Sequence, residues 1–336
     1  MKKISILLAG MLSLFTTAQD VHMTQMYGVP LLLNPAMTGF FNGCYRFGAF
    51  GRLQWSTVME AYKTLGVYAD SRLLEGTLPK GDVLGAGLFL ANDRSGDAPF
   101  VINMAIASGA YHKSLGDHTI AVGIQIGYVN KQIGDGVLYF PNQYVENIGF
   151  NPAIPTGEAL KQSIGYPDFN IGLLAYGSIN RDMSYFAGIA YFHLTQPKEQ
   201  FSLMTTDPYR YPSRYVFHGG ISMLMSDYWR LIPTFVFMYQ AQVMDILPGV
   251  TVEYELSDDN FLSGSIFYRY NDAISASVGL GLGPLSFGIA SDFNIGPLSN
   301  ISVASKGWGG IEFVVRYTIQ CYRLSVLIQT LPCPRI

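Results

Sequence analysis

Five histidines are the residues of this chain best suited to bind a metal or to carry acid–base chemistry. No pair of them has the spacing of a metal-binding motif, and they fall in separate parts of the sequence. We therefore expect ordinary lumen or interface positions for them, with no bound metal and no cofactor. They are His22, His112, His118, His193 and His218.

Two segments resemble fragments of ligand-binding motifs. Residues 93–97 (D-R-S-G-D) lack the later carboxylate that an EF-hand needs, so an Asp/Gly turn is favoured over a calcium site. Residues 279–283 lack the G-x-G-x-x-G spacing, and a turn between packed strands explains them better. There is no G-x-S-x-G nucleophile elbow. The chain is predicted not to be an enzyme. The alternative that stays open is an outer-membrane phospholipase with a catalytic Ser–His pair on neighbouring strands.

The elements that would position any functional residue are strands, because several segments alternate apolar and polar residues one by one. In residues 119–129, five large apolar side chains fall on one face and small or polar ones on the other. About ten residues of such alternation is the repeat unit of a membrane-spanning β-barrel. The pattern predicts an all-β fold, a transmembrane antiparallel β-barrel of about fourteen strands.

The composition favours the same fold. Charged residues make up 13% of the chain, against roughly 25% in soluble domains, and aromatic residues make up 14%. A secreted β-sandwich is the alternative, but its solvent-facing surface would require more charge. After the N-terminal region, no apolar run reaches the roughly 18 residues of a membrane helix. The net charge of −3 and the lack of a basic run argue against nucleic-acid binding.

The chain is predicted to have four parts. Residues 1–18 have two lysines, an apolar run and small residues before Gln19, as in a signal peptide. Residues 19–43 contain prolines and glycines without alternation and are interpreted as a periplasmic arm or plug. The barrel is assigned to residues 44–320, and residues 321–336 are interpreted as a periplasmic tail.

The connections between predicted strands separate into two length classes. The fourth, sixth, eighth, tenth and twelfth connections are tight turns, whereas the longest ones, residues 132–167, 194–214 and 295–308, are all odd-numbered. A barrel with a periplasmic N-terminus has this parity, because its periplasmic turns are short and its external loops are long. The strands are predicted at residues 44–55, 62–71, 83–91, 100–112, 118–131, 168–179, 183–193, 215–225, 229–239, 246–256, 261–270, 273–280, 285–294 and 309–319.

Alternation also predicts which polar side chains face the lumen. Both signs of charge occur at these positions, because a charge on the lipid face would cost about 2–4 kcal/mol at the bilayer midplane. They either line a polar conduit or pair with one another and close a plugged lumen, and the second reading is favoured. The lumen candidates are Arg46, Arg52, Gln54, Glu253, Glu255, Arg269, Glu312 and Arg316.

The two ends of the mature chain carry further predictions. Pro35 restricts Asn34 to extended geometry and Gly39 permits a reversal, so the arm is expected to be fixed inside or across the periplasmic mouth. There it would block the lumen or present a surface to a partner. Cys321 and Cys333 are predicted to form a disulfide in the oxidising periplasm, which leaves Cys44 free. The alternative is a disulfide in which Cys44 is one of the two partners.

The long external loop is a candidate binding site for a protein partner. Residues 132–167 carry aromatic residues among prolines, and aromatic side chains in a stiff loop lose little entropy on binding. The alternative is a lid folded over the barrel mouth. The candidate contact residues are Tyr139, Phe140, Tyr144 and Phe150.

Several short motifs, in order along the chain, resemble the PorP/SprF family. Residues 25–27 (Q-M-Y) and 32–39 (L-L-N-P-A-M-T-G) are similar to its N-terminal Q-Y-M…N-P-A-Y-A-G pattern. Residues 52–55 (R-L-Q-W), the glycine-containing segment 85–96 and the terminal C-P-R-I also have counterparts. The chain departs from the pattern at Met37, Thr38 and Ile336, and the loop 132–167 is its least family-like part.

The resemblance implies an outer-membrane barrel accessory to the type IX secretion system of Bacteroidetes. Its partners would be secretion components in the periplasm or outer membrane, outer-membrane lipid and a large secreted protein. That protein would be secreted with its help or attached to the cell surface, as a gliding adhesin is. The alternative function is an outer-membrane transport barrel for small or apolar solutes.

Overall fold

Fourteen strands close into one antiparallel barrel. The computed structural model describes residues 20, 23–55, 62–74, 77–79, 81–95, 100–134, 140–146, 148–155, 157, 160–204, 207–296 and 308–320. The predicted barrel and its strand number are therefore confirmed. The segment interpreted as a signal peptide lies outside the described residues and stays a prediction.

The barrel strands correspond one to one with the predicted ones and differ mainly at their ends. The clearest differences are the third barrel strand, which runs on to Ser95, and the sixth, which already begins at Ser163. The barrel strands are β1 (Tyr45–Gln54), β2 (Tyr62–Leu73), β3 (Val83–Ser95), β4 (Phe100–Leu115), β5 (His118–Ile133), β8 (Ser163–Ser178), β9 (Met183–Phe192), β12 (Arg214–Leu224), β13 (Trp229–Gln240), β14 (Val243–Ser257), β15 (Asn260–Arg269), β16 (Ala273–Leu282), β17 (Leu285–Asn294) and β18 (Trp308–Ile319).

Two small hairpins lie in the long loops. They are formed by β6 (Tyr144–Val145) with β7 (Gly149–Phe150), and by β10 (Lys198–Glu199) with β11 (Tyr209–Arg210). One short 3-10 helix, Pro141–Gln143, precedes the first hairpin. The turn expected at residues 93–97 is wrong for its first part, because Asp93 and Arg94 pair with Thr64 and Lys63 in the β2–β3 ladder.

The first and last barrel strands close the ladder. β1 pairs with β18 from Tyr45↔Ile319 to Gln54↔Gly310, so every barrel strand has two neighbours. Closure leaves no strand edge with unpaired backbone N–H and C=O groups, which lipid could not hydrogen-bond. Outward positions carry the large apolar side chains that alternation assigned to lipid, and on β5 these are Ile120, Val122, Ile124, Ile126 and Tyr128.

The two ends of the barrel differ in their connections. One end, called here the short-turn end, has turns such as residues 116–117, 258–259 and 283–284. The other, called here the long-loop end, carries the connections 134–162, 193–213 and 295–307. In outer-membrane barrels the short turns are periplasmic and the long loops external. Among the described residues, no helix has the length and apolar character to cross a membrane.

Candidate functional site

The segment that precedes β1 fills the barrel lumen and is called here the plug, residues 23–43. It consists of short helical turns at Met26–Gly28, Pro30–Leu33 and Pro35–Met37 with irregular backbone between them. Met23, Val29, Ala36, Met37 and Phe40 have no solvent-exposed surface. Side chains of the plug and of the inner wall together form the two apolar clusters of the core. The alternative of an arm across the periplasmic mouth is therefore not what the structure shows.

The plug runs along most of the barrel height. Phe41, at its C-terminal end, accepts a hydrogen bond of 2.9 Å from Arg72, near the short-turn end of β2. Asp20, before the plug, donates its backbone N–H to Gln240 at the long-loop end of β13. The chain therefore passes from the long-loop end through the lumen before β1 begins at the short-turn end.

Asn34 is the polar centre of the plug. Its side-chain oxygen accepts from the Ala36 amide at 2.8 Å and caps the Pro35–Met37 turn. Its amide nitrogen donates to the backbone oxygen of Leu173 on β8, at 3.0 Å, and lies 3.0 Å from His218 Nε2 on β12. One side chain therefore both shapes the plug and fastens it to two parts of the wall.

The wall makes room for this turn with glycines. A Cβ at Gly172 would lie 1.9 Å from the Asn34 side-chain oxygen, and one at Gly123 would lie 2.3 Å from the Ala36 nitrogen. On β3, a Cβ at Gly85 would lie 2.2 Å from the Thr38 oxygen. These distances are far below van der Waals contact, so only glycine permits this approach of plug and wall.

An ion pair holds the C-terminal part of the plug. Arg46 binds Asp70 on the neighbouring strand through two hydrogen bonds of 2.8 Å, and both side chains are buried. The second oxygen of Asp70 also accepts from the Gly39 amide at 2.8 Å. Gly39 has a φ of +79°, which favours glycine, and this conformation turns the chain toward Phe40. The reversal expected at Gly39 is present.

A second cluster of charges holds the N-terminal part of the plug. Arg52 pairs with Glu312 and, at 3.1 Å, with Asp292, and all three side chains are at most 4% exposed. The Thr24 amide donates to both oxygens of Glu312, at 2.7 and 2.9 Å, and its hydroxyl donates to Asp292 at 2.7 Å. Arg269 lies 3.7 Å from Asp292. Removing one partner from such a buried network typically costs about 3–5 kcal/mol.

Asp20 binds three side chains at the long-loop end, and this cluster is called here the Asp20 latch. Its carboxylate accepts from His193 at 2.8 Å and from Tyr211 at 2.5 Å, and it pairs with Arg214 at 3.2 Å. Burial alone would lower the pKa of His193, but the carboxylates of Asp20 and Asp168 on either side of the ring outweigh it and raise the pKa to about 9. Burial would raise the pKa of Asp20, yet His193 and Arg214 hold it below its usual range.

The remaining lumen candidates also have defined places. Glu253 is buried and lies 3.7 Å from Arg230, and buried Arg316 donates to Ser286 at 3.4 Å. Gln54 and Glu255 occupy inward positions near strand ends and are half-buried. The structure brings Arg52, Arg269 and Glu312 of the predicted set into one network.

Four residues essential to this arrangement were not among the sequence candidates. They are Asp70, Asp292, Thr24 and His218. Alternation places both aspartates inward, on β2 and β17, so their lumen-facing positions could be predicted from the sequence. Their ion-pair partners could not, because these depend on the register between strands. The described residues contain no group of three or more metal-ligating side chains. His112 donates to the Thr38 oxygen in the lumen, whereas His118 lies exposed and His22 falls outside the described residues.

The two longest loops at the long-loop end pack against each other and form what is called here the cap, residues 140–162 and 193–213. Lys161 donates its amide to Phe201 at 2.8 Å, and Leu160 forms a bridge with Ser202. Buried Lys131 on β5 pairs with Glu199 at 2.6 Å and lies 3.9 Å above the Tyr211 ring. The cap is therefore fastened to the barrel wall by charge and aromatic contacts.

The predicted aromatic contact residues lie on the outer part of the cap. Tyr144 is 69% exposed, while Phe140 and Phe150 are half-buried, and Tyr139 falls outside the described residues. Ile148, between the two strands of the small hairpin, is 75% exposed. The hairpin thus presents apolar side chains to water at the mouth of the barrel.

The predicted cysteine pairing is wrong. Cys44 is disulfide-bonded, and the chain has only three cysteines, so its partner is Cys321 or Cys333 and these two cannot pair with each other. The physical reason is barrel closure: the Cys44 amide donates to the Ile319 oxygen at 2.8 Å, which brings the end of β18 next to Cys44. Cys321 and Cys333 themselves lie outside the described residues.

Fold and site together define an outer-membrane β-barrel whose lumen is filled by its own N-terminal segment. A family model described as "Type IX secretion system membrane protein PorP/SprF" matches residues 15–317, nearly the whole chain. The chain belongs to this family, which places it in the outer membrane and associates it with the components of type IX secretion.

Solved structures of similar fold are channel barrels. The TodX deltaS2S3 mutant monoaromatic hydrocarbon channel has a TM-score of 0.55 at 9% identity, over 91% of this chain and 96% of that one. The CymD monoaromatic hydrocarbon channel has a TM-score of 0.50 at 10% identity, over 90% and 94%. The Ralstonia pickettii toluene transporter TbuX has a TM-score of 0.50 at 10% identity, over 85% and 92%. This likeness shows the fold alone, and no curated protein matches the chain.

Proposed function

We propose that this chain is a non-enzymatic outer-membrane barrel that supports the secretion or cell-surface attachment of a large protein, such as a gliding adhesin. It acts as a docking platform, and its lumen is not the route of transport. The observation that carries this proposal is the plug, which is buried, held by two charge networks and matched to glycines of the wall.

The plug also favours docking over the alternative of solute transport. A solute crossing the lumen would have to displace side chains such as Met37 and Phe40, which have no exposed surface. It would also have to break the contacts of Asn34 and Gly39 with the wall. Displacing such contacts requires far more free energy than diffusion through an open pore.

The cap is the surface we assign to the secreted partner. It is ordered by its contacts with the wall, so little entropy is lost when a partner binds. Its hairpin exposes Tyr144 and Ile148, and large apolar side chains on a polar rim are typical anchors of protein interfaces. Components of the secretion machine in the periplasm would meet the short-turn end.

The test replaces the apolar tip of the cap and follows the secreted protein. Tyr144→Ser with Ile148→Ser should release the adhesin-like partner from the cell surface into the medium, while the barrel inserts and keeps its heat stability. The matched control is Met244→Ser with Tyr270→Ser, two similarly exposed residues at the long-loop end but outside the cap, and attachment should be unchanged in it.

Two measurements decide the outcome. Quantitative immunoblots of cells and medium measure attachment, and heat-modifiable migration in gels measures barrel folding. Full surface attachment in the Tyr144/Ile148 variant would contradict the assignment of the cap. A stable, solute-selective conductance of the wild-type protein in planar bilayers would contradict the docking function itself.

A further inference from the structure

The outer wall of β18 and β1–β5 carries an open apolar groove near the long-loop end. Its volume is about 630 Å³. Small residues, Ala49 and Ala105, form its floor, and larger side chains rise around them. On one side the Phe313 ring lies against Gly51, where a Cβ would meet the ring at 2.3 Å. The groove therefore follows from alternating small and large residues on a face that lipid covers.

A row of amides borders this groove on the side of the long loops. Asn92, Asn103 and Asn130 are directly opposite one another on three neighbouring strands, β3, β4 and β5. The Asn92 amide donates to the Asn103 oxygen at 2.7 Å. Leu90, Ala105 and Tyr128 form the next outward row toward the short-turn end. The amide row thus borders the groove on β3, β4 and β5.

Two cations lie one further row toward the long loops. Lys63 on β2 and Arg94 on β3 are exposed and directly opposite each other in the ladder. Neither forms an ion pair with another residue that the structure describes. Like charges directly opposite across strands are destabilising, so this arrangement is relieved when an anion binds between them.

The three rows follow the chemical order of a membrane lipid. Successive outward positions of a strand are about 7 Å apart, so hydrocarbon, amide and cation levels follow one another at that spacing. An acyl chain, its ester or amide linkage and a phosphate occur in the same order in an acylated phosphoglycolipid of the outer leaflet. The long-loop end of the barrel faces that leaflet.

We propose that this wall is a specific binding site for one such phosphorylated glycolipid. An acyl chain lies in the groove over Ala105, Asn92 and Asn103 bind the linkage, and Lys63 with Arg94 binds the phosphate. The site does not depend on the docking function of the cap, because it uses only the outer face of β18 and β1–β5 and the outer-membrane location.

The test measures binding of bisphosphorylated hexa-acyl lipid A to the delipidated full-length protein by native mass spectrometry. Lys63→Gln with Arg94→Gln should weaken binding about 30-fold, since each cation near an anionic lipid contributes about a factor of five. Arg181→Gln with Lys198→Gln removes the same charge from exposed positions elsewhere and should leave binding unchanged.

A second pair of variants tests the groove without changing charge. Ala105→Phe fills the floor and should abolish preferential binding, whereas Ala107→Phe, at the next outward position of β4, lies outside the groove and should not. Both positions face outward, so barrel closure, checked by heat-modifiable migration, should be intact. Lipid A lacking its phosphates should bind wild type and the Lys63/Arg94 variant equally.

Three results would overturn the proposal. One is equal affinity of lipid A for wild type and the Lys63/Arg94 variant. Another is equal loss of binding in the Ala105 and Ala107 variants. The third is unchanged lipid binding together with loss of a co-purifying membrane protein, which would make this wall a protein interface.

Discussion

Glycines on the inner wall decide how closely the plug can approach. At Gly123, Gly172 and Gly85 an added Cβ would overlap the plug at 1.9–2.3 Å, and at the first and last of these it would meet backbone atoms that cannot rotate away. On its own, a glycine inside a strand weakens it, because it packs no side chain. The glycines that weaken the strands in this way lie where the Asn34–Gly39 turn contacts the wall.

Gly123→Ala should loosen the plug. Its Cβ would lie 2.3 Å from the Ala36 nitrogen, so either the turn or β5 must move, at about 1–3 kcal/mol. Gly264→Ala is the matched control, because a Cβ there meets nothing within 4 Å. Protease cleavage within the plug of the folded protein should increase for Gly123→Ala only. Equal cleavage of both variants would mean that the close approach has no energetic effect.

The Asp20 latch should weaken at high pH. His193 has a pKa raised from 6.5 to about 9, so its protonated form is favoured by folding. That stabilisation is fully present below about pH 6.5 and is lost as the pH rises through about 9, and it amounts to about 3 kcal/mol. Burial and the nearby Asp20 carboxylate hold the Tyr211 pKa well above 10, so this phenol stays protonated in that window.

The measurement is protease accessibility of the plug between pH 7 and pH 10. Wild type should become more accessible across this range, whereas His193→Gln should be accessible already at pH 7 and change little. A wild-type protein with constant protection up to pH 10 would contradict the latch.

At the scale of elements, the strands could be predicted from the sequence, whereas the plug's contacts with the wall could not. Side chains alternate with a period of two along a strand. The local sequence of a segment such as β5 is therefore enough to predict which side chains face lipid and which face the lumen. The plug has no such period, because irregular backbone inside a barrel is satisfied by wall groups far away in sequence. The Gly39 amide donating to Asp70 and the Thr24 amide donating to Glu312 are examples. The charges of the lumen were visible, whereas their partners required the register.

Deleting residues 20–40 should open the lumen. The barrel ladder closes through β1 and β18 without the plug, so insertion should persist, with lower heat stability because Arg46, Arg52 and Glu312 lose plug partners. Single-channel recording should show a larger conductance than wild type. The same conductance in both proteins would show that the plug does not close the lumen.

At the scale of the whole molecule, barrel closure explains why the disulfide was mispredicted. Cys321 and Cys333 are the nearest cysteines in sequence, but β1 and β18 are neighbours in the ladder. Cys44 before β1 therefore lies beside the end of β18, although more than two hundred residues separate them. Sequence distance is a poor guide to contact in a closed sheet, because closure joins the two ends of the chain.

The two ends of the barrel differ in loop length, and this difference predicts which end faces the cell exterior. If the long loops are external, a short epitope inserted after Ala153, in the cap, should be detected by antibody on intact cells. An epitope inserted after Asp258, in the turn between β14 and β15, should be detected only after the outer membrane is permeabilised. Both sites are exposed, so insertion should not prevent closure. The reverse labelling pattern would place the cap in the periplasm, and surface attachment through the cap would then be impossible.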